Sequence, residues 1–369
     1  MRIVVNDIAA SKTGALAILK DFYNYVKENE FNHHWIFLTG GDYLEAVDDR
    51  IEVIVLADVK KSQKNRLKFD LLTGSKYISS LKPDIVLSLQ NTLTRGKIYN
   101  DGKAVPQILY VHQPLGFQKI KKFSFINPEE REYAVYQYLI GALIDLSVKS
   151  ANRVIVQTEW MRDAVAKKTR INKEKISKVL PDVSDLSAYV EKGLWQSNQF
   201  FFPSGEILYK NHECVIKAAQ ILNKKGITDF KVYFTLKDLS DVTKRTYEDP
   251  YGNICWTGRV SREEVLSKYN QATLIFPSYI ETFGVPLAEA RQMGTLIVAS
   301  DTPFCREVLS GYKNVKFFDP FNEEELSDLM EQIIKGNLKP EEVETTNSVA
   351  EKKSSYSEIV KIVIDTING

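Results

Sequence analysis

Short runs of β-branched and aromatic residues alternate with helix-length amphipathic segments along the whole of this 369-residue chain, and the alternation passes through two rounds. In the first round strand patterns fall near Arg2–Asn6, Trp35–Thr39, Glu52–Leu56, Asp84–Leu89, Gln107–His112, Arg153–Gln157 and Ser177–Leu180. Helical patterns such as Ala15–Glu28 and Glu132–Ser150 lie between them. In the second round strands fall near Phe200–Pro203, Lys231–Leu236, Ile254–Thr257, Thr273–Phe276, Thr295–Ala299 and Val315–Phe318. Strands this continuously apolar are covered on both faces, and strands separated by helices pair in parallel. The pattern predicts an α/β chain of two doubly wound domains, each offering ligand-binding groups beyond the carboxyl ends of its strands. Polar residues and Gly193 interrupt the pattern near Asp182–Ser197. That places a first domain at 1–182, a linker at 183–198 and a second domain at 199–346. The segment 347–369 reads as a closing helix, where Tyr356, Ile359, Val360 and Val363 make a stripe that needs a partner surface.

Composition narrows the function classes. An apolar content of 44% with 26% charged residues describes a soluble globular protein. The first residues run directly into a strand pattern, so no signal peptide is expected. No apolar run approaches the ~20 residues of a membrane span. Cys214, Cys255 and Cys305 lie far apart without metal-site spacing and read as reduced thiols of a cytoplasmic protein. A net charge of +1 argues against nucleic acid as a partner held by bulk charge. Residues 1–199 nevertheless carry 29 Lys and Arg against 23 Asp and Glu, and the remainder 20 against 25. A basic first half facing an anionic acceptor and ordinary surface scatter both fit.

The most informative stretch runs from Thr273 to Gly294: Thr-Leu-Ile-Phe-Pro-Ser-Tyr-Ile-Glu-Thr-Phe-Gly-Val-Pro-Leu-Ala-Glu-Ala-Arg-Gln-Met-Gly. A buried strand gives way to a loop containing Gly284. Pro286 suits the first turn of a helix and Gly294 its C-terminal end. The amides of Phe283, Gly284, Val285 and Leu287 would then sit at a helix N-terminus, where unpaired N–H groups and the helix dipole favour an anion such as a diphosphate. Glu281 lies before the helix and Glu289 one turn inside it, so the two carboxylates could bracket one extended ligand through sugar hydroxyls. Acidic residues near the positive end of a helix are the alternative for either glutamate alone. The whole string resembles the Glu-x7-Glu motif of retaining GT-B glycosyltransferases of family four. That resemblance implies two Rossmann-like domains facing across a cleft, with the closing helix packed back on the first. It also implies that Glu281 contacts the transferred sugar, Glu289 the ribose, and the amides of Phe283–Leu287 the diphosphate.

Other landmarks of that family follow in order. Phe200-Phe-Phe-Pro-Ser-Gly-Glu-Ile-Leu-Tyr-Lys-Asn-His212 resembles its loop with a phosphate-binding lysine, here Lys210. Many relatives place an arginine five residues earlier, where this chain has Gly205; Arg259 is the candidate substitute. An ordinary surface lysine is the alternative for Lys210, and His212 reads as a helix-start or surface residue. In the first domain His112 ends the strand of Pro106-Gln-Ile-Leu-Tyr-Val-His112, and the resemblance gives it a place at the donor sugar or reaction centre. A satisfied strand-end histidine is the other reading. Asp7-Ile-Ala-Ala-Ser-Lys-Thr-Gly14 loosely resembles the family's glycine-containing acceptor-side loop. Ser88-Leu-Gln-Asn91-Thr92 could bind acceptor hydroxyls through Asn91 or form an ordinary turn. Phe117-Gln-Lys-Ile-Lys-Lys-Phe-Ser-Phe125 and the basic run Lys60–Lys68 fit a membrane surface or a lipid-linked pyrophosphate, and equally a solvated loop.

The resemblance implies transfer of a sugar, with retention, from a nucleotide-diphosphate sugar to a hydroxyl of a glycan or polyprenyl-pyrophosphate-linked acceptor. Capsule or exopolysaccharide assembly by a mannosyl- or rhamnosyltransferase at the inner face of the cell membrane is the working context. No Asp-x-Asp occurs, so no metal and no further cofactor is expected. A related epimerase or phosphorylase-like enzyme, and a catalytically silent subunit that binds nucleotide and supports a partner enzyme, are the rival readings. No Walker A string occurs and no Gly-x-Gly-x-x-Gly follows a strand, which disfavours other nucleotide-binding families.

Overall fold

The computed structural model describes residues 1–10, 13–29, 32–47, 49–238, 247–342 and 354–368. The strands are β1 (Arg2–Asp7), β2 (His34–Thr39), β3 (Ile51–Val55), β4 (Ile85–Ser88), β5 (Tyr99–Asn100), β6 (Lys103–Ala104), β7 (Gln107–Val111), β8 (Arg153–Val156) and β9 (Ile176–Lys178). They continue as β10 (Gln199–Phe202), β11 (Lys231–Phe234), β12 (Ile254–Trp256), β13 (Thr273–Phe276), β14 (Ile297–Ser300) and β15 (Val315–Phe318). One parallel sheet has the order β3-β2-β1-β4-β7-β8-β9 and the other β12-β11-β10-β13-β14-β15. β5 and β6 form a small antiparallel hairpin that the sequence pattern did not announce, being too short for a period to register.

Each sheet reverses its direction of growth once. The chain builds outward from β1 through β2 to β3, then returns to the other side of β1 with β4. The second sheet does the same, building from β10 through β11 to β12 and returning beside β10 with β13. A crevice opens beyond the carboxyl ends of two strands at such a reversal, because the loops leave it toward opposite faces.

Contacts divide the chain into one unit of Met1–Gln118, Tyr133–Leu180 and Glu351–Gly369, and another of Lys119–Glu132 and Pro181–Ala350. The sequence reading assigned residues 119–132 to the first domain and 183–198 to a linker; both segments cluster with the second unit. Of the closing segment, residues 347–353 lie outside the described residues, and the helix runs Ser355–Asn368. The stretch expected as one helix from Glu132 to Ser150 is Arg131–Ala134, a π-helical segment Val135–Ile140, and Gly141–Ser150. Gly141 there closes against Gly116, whose Cα would lie 3.3 Å from an added Cβ. Among the described residues no helix is long and apolar enough to cross a membrane.

In the first unit, residues of β1 alternate between two cores. Ile3 and Val5 join Trp35, Phe37, Ile85 and Leu87 on one face, and Val4 joins Ile36, Leu38 and Val86 on the other. Ile359, Val360 and Val363 of the closing helix are buried in the first of these cores, and the Tyr356 ring lies 5.9 Å from that of Phe22. The closing helix therefore packs on the first unit, which supplies the surface its stripe needs. In the second unit the rings of Phe202, Phe234 and Phe276 meet edge-on across three neighbouring strands. The helix Arg262–Gln271 opens with a capping box between Ser261 and Glu264.

Truncating Ile359, 2% exposed, to Ala should destabilise the first unit by about 2–4 kcal/mol through lost burial and a residual cavity. Urea unfolding with a probe in that unit measures this; a change below about 0.5 kcal/mol, the size of an ordinary surface substitution, would mean the helix is not part of its core.

Candidate functional site

The reversal in the second sheet brings the loops after β10 and β13 side by side. β13 ends at Phe276, and the chain passes buried Ser278 and Tyr279 to Glu281. Gly284 then turns the backbone with φ 86°, and the helix Val285–Gln292 starts at once with Pro286 in its first turn. Left-handed backbone favours glycine on steric grounds. A Cβ on Gly284 would also lie 3.2 Å from Leu287 Cδ1. The Leu287 amide donates to the Gly284 carbonyl at 2.9 Å, so it closes the helical turn and is not among the unpaired donors expected of it. The Phe283, Gly284 and Val285 amides make no backbone hydrogen bond among the described residues. Three N–H groups and the positive end of the helix dipole thus converge at one turn.

After β10 the chain makes a 3-10 turn over Leu208–Lys210, and Asn211, at φ 65°, redirects it into the helix His212–Lys224. Asn211 Nδ2 donates to the carbonyls of Pro320 at 2.7 Å and Pro277 at 3.3 Å, and the Tyr279 amide donates to the Tyr209 carbonyl at 3.1 Å. These bonds stitch the lysine loop to the glutamate loop. Their result is an ion pair between Lys210 Nζ and Glu281 Oε1, both side chains below one-fifth exposed. Lys210 is therefore no ordinary surface lysine. Gly205 stands in open space, since an added Cβ would meet nothing within 4 Å. Crowding does not explain the missing arginine.

Glu289 is 7% exposed and already partnered. Its Oε1 accepts from Arg262 Nη2 at 2.8 Å and its Oε2 from the Tyr269 hydroxyl at 3.1 Å. Burial, then the neighbouring Glu289 charge, hold the Tyr269 phenol well above its ordinary range, so it stays a donor. Sequence reasoning proposed Arg259, which is exposed; it is Arg262 that reaches a signature glutamate. The capping-box pattern from Ser261 to Glu264 was the available signal, because it fixes where that helix begins. His212 is buried, not at the surface: its ring sits 4.8 Å from that of Phe202 and 5.2 Å from that of Phe234. Burial, with Lys210 nearby, pushes its pKa down to about 3, so it is a neutral core residue.

In the first unit His112 follows β7 directly. Its Nε2 lies 2.9 Å from the Leu89 carbonyl and 3.0 Å from Asn91 Nδ2, while its backbone amide donates to Asn91 Oδ1 at 2.6 Å. Asn91, at φ 67°, thereby locks the end of β7 to the end of β4. Burial lowers the His112 pKa, with the Leu89 hydrogen bond opposing, so the ring is neutral near pH 7. Ser88 Oγ donates to the Thr92 carbonyl at 2.7 Å, an ordinary turn bond. Gly14 is exposed near the start of the helix Thr13–Glu28, and Ser11 and Lys12 of its loop lie outside the described residues. Of the basic aromatic stretch, Phe117 and Phe123 are buried and Phe125 is exposed.

A carboxyl group that the sequence reading did not single out ends β1. Asp7 is 1% exposed, and neither carboxyl oxygen has a hydrogen-bond partner among the described residues. Burial raises its pKa from 3.8 to about 7, against the pull of the Arg66 charge, the nearby Ala10 backbone amide and Lys60. A pKa raised by folding gives stability that is complete below the unfolded value and lost as pH rises through the folded one. Wild type should therefore lose stability relative to Asp7→Asn between about pH 4 and pH 7, by a few kcal/mol. Parallel urea titrations at the two pH values test this; equal pH dependence in both proteins would contradict it. Gly284→Ala should cost about 1–2 kcal/mol from the left-handed backbone; an unchanged unfolding midpoint would mean the turn relaxes freely.

The model of the family described as Glycosyl transferases group 1 matches residues 191–352. An O-antigen chain mannosyltransferase, RfbU of Salmonella typhimurium, is 27% identical over 176 residues, 46% of this chain and 47% of that protein. The aligned part thus spans about half the length of that curated relative. Among solved structures, WaaG, a glycosyltransferase involved in lipopolysaccharide biosynthesis, superposes with a TM-score of 0.62 at 14% identity over 100% of both chains. Anabaena HepE in complex with UDP-glucose gives 0.63 at 13% identity, covering 100% of this chain and 99% of that one. The chain thus has the GT-B fold, and its residues 191–352 form a domain of the glycosyl transferases group 1 family.

Proposed function

We propose that this chain is a retaining glycosyltransferase that moves a sugar from a nucleotide-diphosphate donor to a hydroxyl of a glycan or lipid-linked acceptor. The observation that carries the reading is the second unit's turn, where the amides of Phe283, Gly284 and Val285 converge beside the Lys210–Glu281 pair. One cation and three N–H groups suit a diphosphate, and the carboxylate next to them suits the hydroxyls of the sugar it carries. In the reaction the bond from the anomeric carbon to the β-phosphate oxygen breaks. The bond to the acceptor oxygen forms on the same face, and the acceptor proton passes to the departing phosphate. Lys210 and the turn amides stabilise charge on the leaving diphosphate, which is the largest electrostatic demand of such a step and one that needs no metal. Glu289 takes the ribose hydroxyls, exchanging Arg262 or sharing it with the ligand.

The O-antigen role printed for RfbU and the lipopolysaccharide role printed for WaaG support a surface-polysaccharide context, including capsule or exopolysaccharide. The UDP-glucose complex of HepE supports a nucleotide sugar as donor. In that setting the chain works in the cytoplasm, at the membrane face where a lipid-linked acceptor is presented.

A thermal-shift screen with UDP-, GDP- and dTDP-sugars identifies the donor, since a ligand at a hundred times its Kd stabilises by about 2.7 kcal/mol. With that donor, Lys210→Ala and Glu281→Ala should each lower transfer by about 100-fold or more, the scale of losing one group that stabilises developing charge. Both should keep the wild-type circular dichroism spectrum. Turnover within a factor of three of wild type in either variant would refute the assignment.

A further inference from the structure

Beyond the carboxyl ends of β14 and β15 the second unit holds a cavity of about 380 Å³. Pro320 and Phe321, in the loop after β15, form part of its wall. That loop is fastened to the candidate site: Asn211 Nδ2 donates to the Pro320 carbonyl at 2.7 Å, and the Phe321 ring lies 5.1 Å from that of Tyr279. The cavity therefore adjoins the loops of Lys210 and Glu281, yet neither of those side chains lines it. Phe321 is 52% exposed and Ile120 36%, which leaves an apolar face open. Three carboxylates stand around it, each fixed by a bond of its own. Arg306 holds both oxygens of Asp301 at 2.7 Å, while its guanidinium covers the Phe317 ring at 3.9 Å. Asp319 Oδ1 accepts from the Phe321 amide at 2.9 Å, and Glu325 Oε2 from the Asp319 amide at 2.8 Å.

Thr302 is the member of this lining that turn chemistry does not account for. It is 1% exposed, and its hydroxyl has no oxygen or nitrogen partner among the described residues. A threonine just before a helix ordinarily accepts an amide of the first turn. Thr302 precedes the helix Pro303–Val308 and makes no such bond. The Cys305 thiol interacts with it, and a thiol is a weak partner. A buried hydroxyl without a strong partner is costly, and a hydroxyl of a ligand would supply one. The rest of the lining selects the ligand. Three carboxylates repel an anion. A metal ion needs ligands that converge on one point, and among the described residues no group of three such side chains does so. A pyranose ring carries C–H bonds on its face and hydroxyls around its edge. The face packs on Phe321 and Ile120, and the hydroxyls reach carboxylate oxygens spaced around the cavity.

We propose that this cavity is a carbohydrate-binding subsite separate from the donor site: it holds one hexose unit of a glycan against Phe321, with hydroxyls of that sugar on Thr302, Asp319 and Glu325. It lies wholly within the second unit and needs no nucleotide to fill. The inference goes beyond the proposed transferase reading, and its test does not depend on that reading. In a transferase such a subsite anchors a glycan by a unit other than the one that receives the new sugar.

The test is amide NMR of the full labelled chain, without nucleotide, titrated with the methyl α-glycosides of mannose, galactose and rhamnose. At least one glycoside should shift the Asp319 and Phe321 amide resonances, which belong to the cavity wall. Thr302→Val, which keeps the shape and removes the hydroxyl, should weaken that binding by about tenfold, the loss of one good contact. Phe321→Ala should weaken it by a similar factor, and this exposed position carries the test if the valine variant does not fold. No shift of those amides with any of the three glycosides overturns the proposal, and so does an unchanged midpoint in both variants. A shift produced by choline or spermine and by none of the glycosides makes the cavity a cation site and overturns it as well. A chain that binds a glycoside here and no nucleotide sugar leaves this inference standing and refutes the transferase reading instead.

Discussion

The adjacency of β10 and β13 is the constraint on which the candidate site depends. Neither loop makes a site alone: Lys210 follows one strand and Glu281 the other, 71 positions apart in sequence. Their strands are neighbours only because the second sheet grows outward from β10, then returns to its other side. Once the strands pair, the Asn211 side-chain amide and the Tyr279 backbone amide tie the loops by hydrogen bonds to backbone carbonyls. Edge-to-face packing of Phe202, Phe234 and Phe276 beneath the loops gives this arrangement a rigid floor. The first sheet has the same reversal between β1 and β4; Asp7 ends β1, and His112 follows β7, the strand beyond β4.

Charge in the second unit is balanced before any ligand arrives. Glu281 is met by Lys210, and Glu289 by Arg262 and the Tyr269 hydroxyl. Such pairing lowers the cost of keeping carboxylates partly buried, which unpaired ions could not sustain. On the proposed transferase reading, a diphosphate sugar would bind by exchange, with Lys210 turning from carboxylate to phosphate and sugar hydroxyls replacing the cation on the carboxylate. The Phe283, Gly284 and Val285 amides differ in kind, since they belong to the backbone of a helix start and need no rearrangement to present their N–H groups. Backbone donors fixed in advance give this part of the site its preorganisation.

Much of this organisation was legible in the sequence. Thirteen strand patterns correspond to the thirteen strands of the two parallel sheets, because buried parallel strands are continuous apolar runs with little ambiguity of period. The Gly284 turn and the following helix were legible because Gly and Pro each solve a specific backbone problem there. Partnerships that depend on side-chain direction were not. Arg262 lies inside the capping box that marks its helix, one residue after Ser261, and only the start of that helix there aims it at Glu289. Asn91 read as a candidate for acceptor hydroxyls, yet its positive φ folds it back onto His112. Leu287 read as a diphosphate donor because sequence cannot say which first-turn amide closes on Gly284. Asp7 escaped notice because an aspartate ending a strand is unremarkable until its burial and missing partners are seen.

The central claim is that the turn amides hold the diphosphate, and amide NMR of the labelled protein measures that contact atom by atom. Titration with a nucleoside diphosphate should shift the Phe283, Gly284 and Val285 amide protons downfield as they gain a charged acceptor, while the Leu287 amide, already bonded to Gly284, moves little. A nucleotide that binds and leaves those three resonances in place, or that perturbs Leu287 instead, would contradict the account.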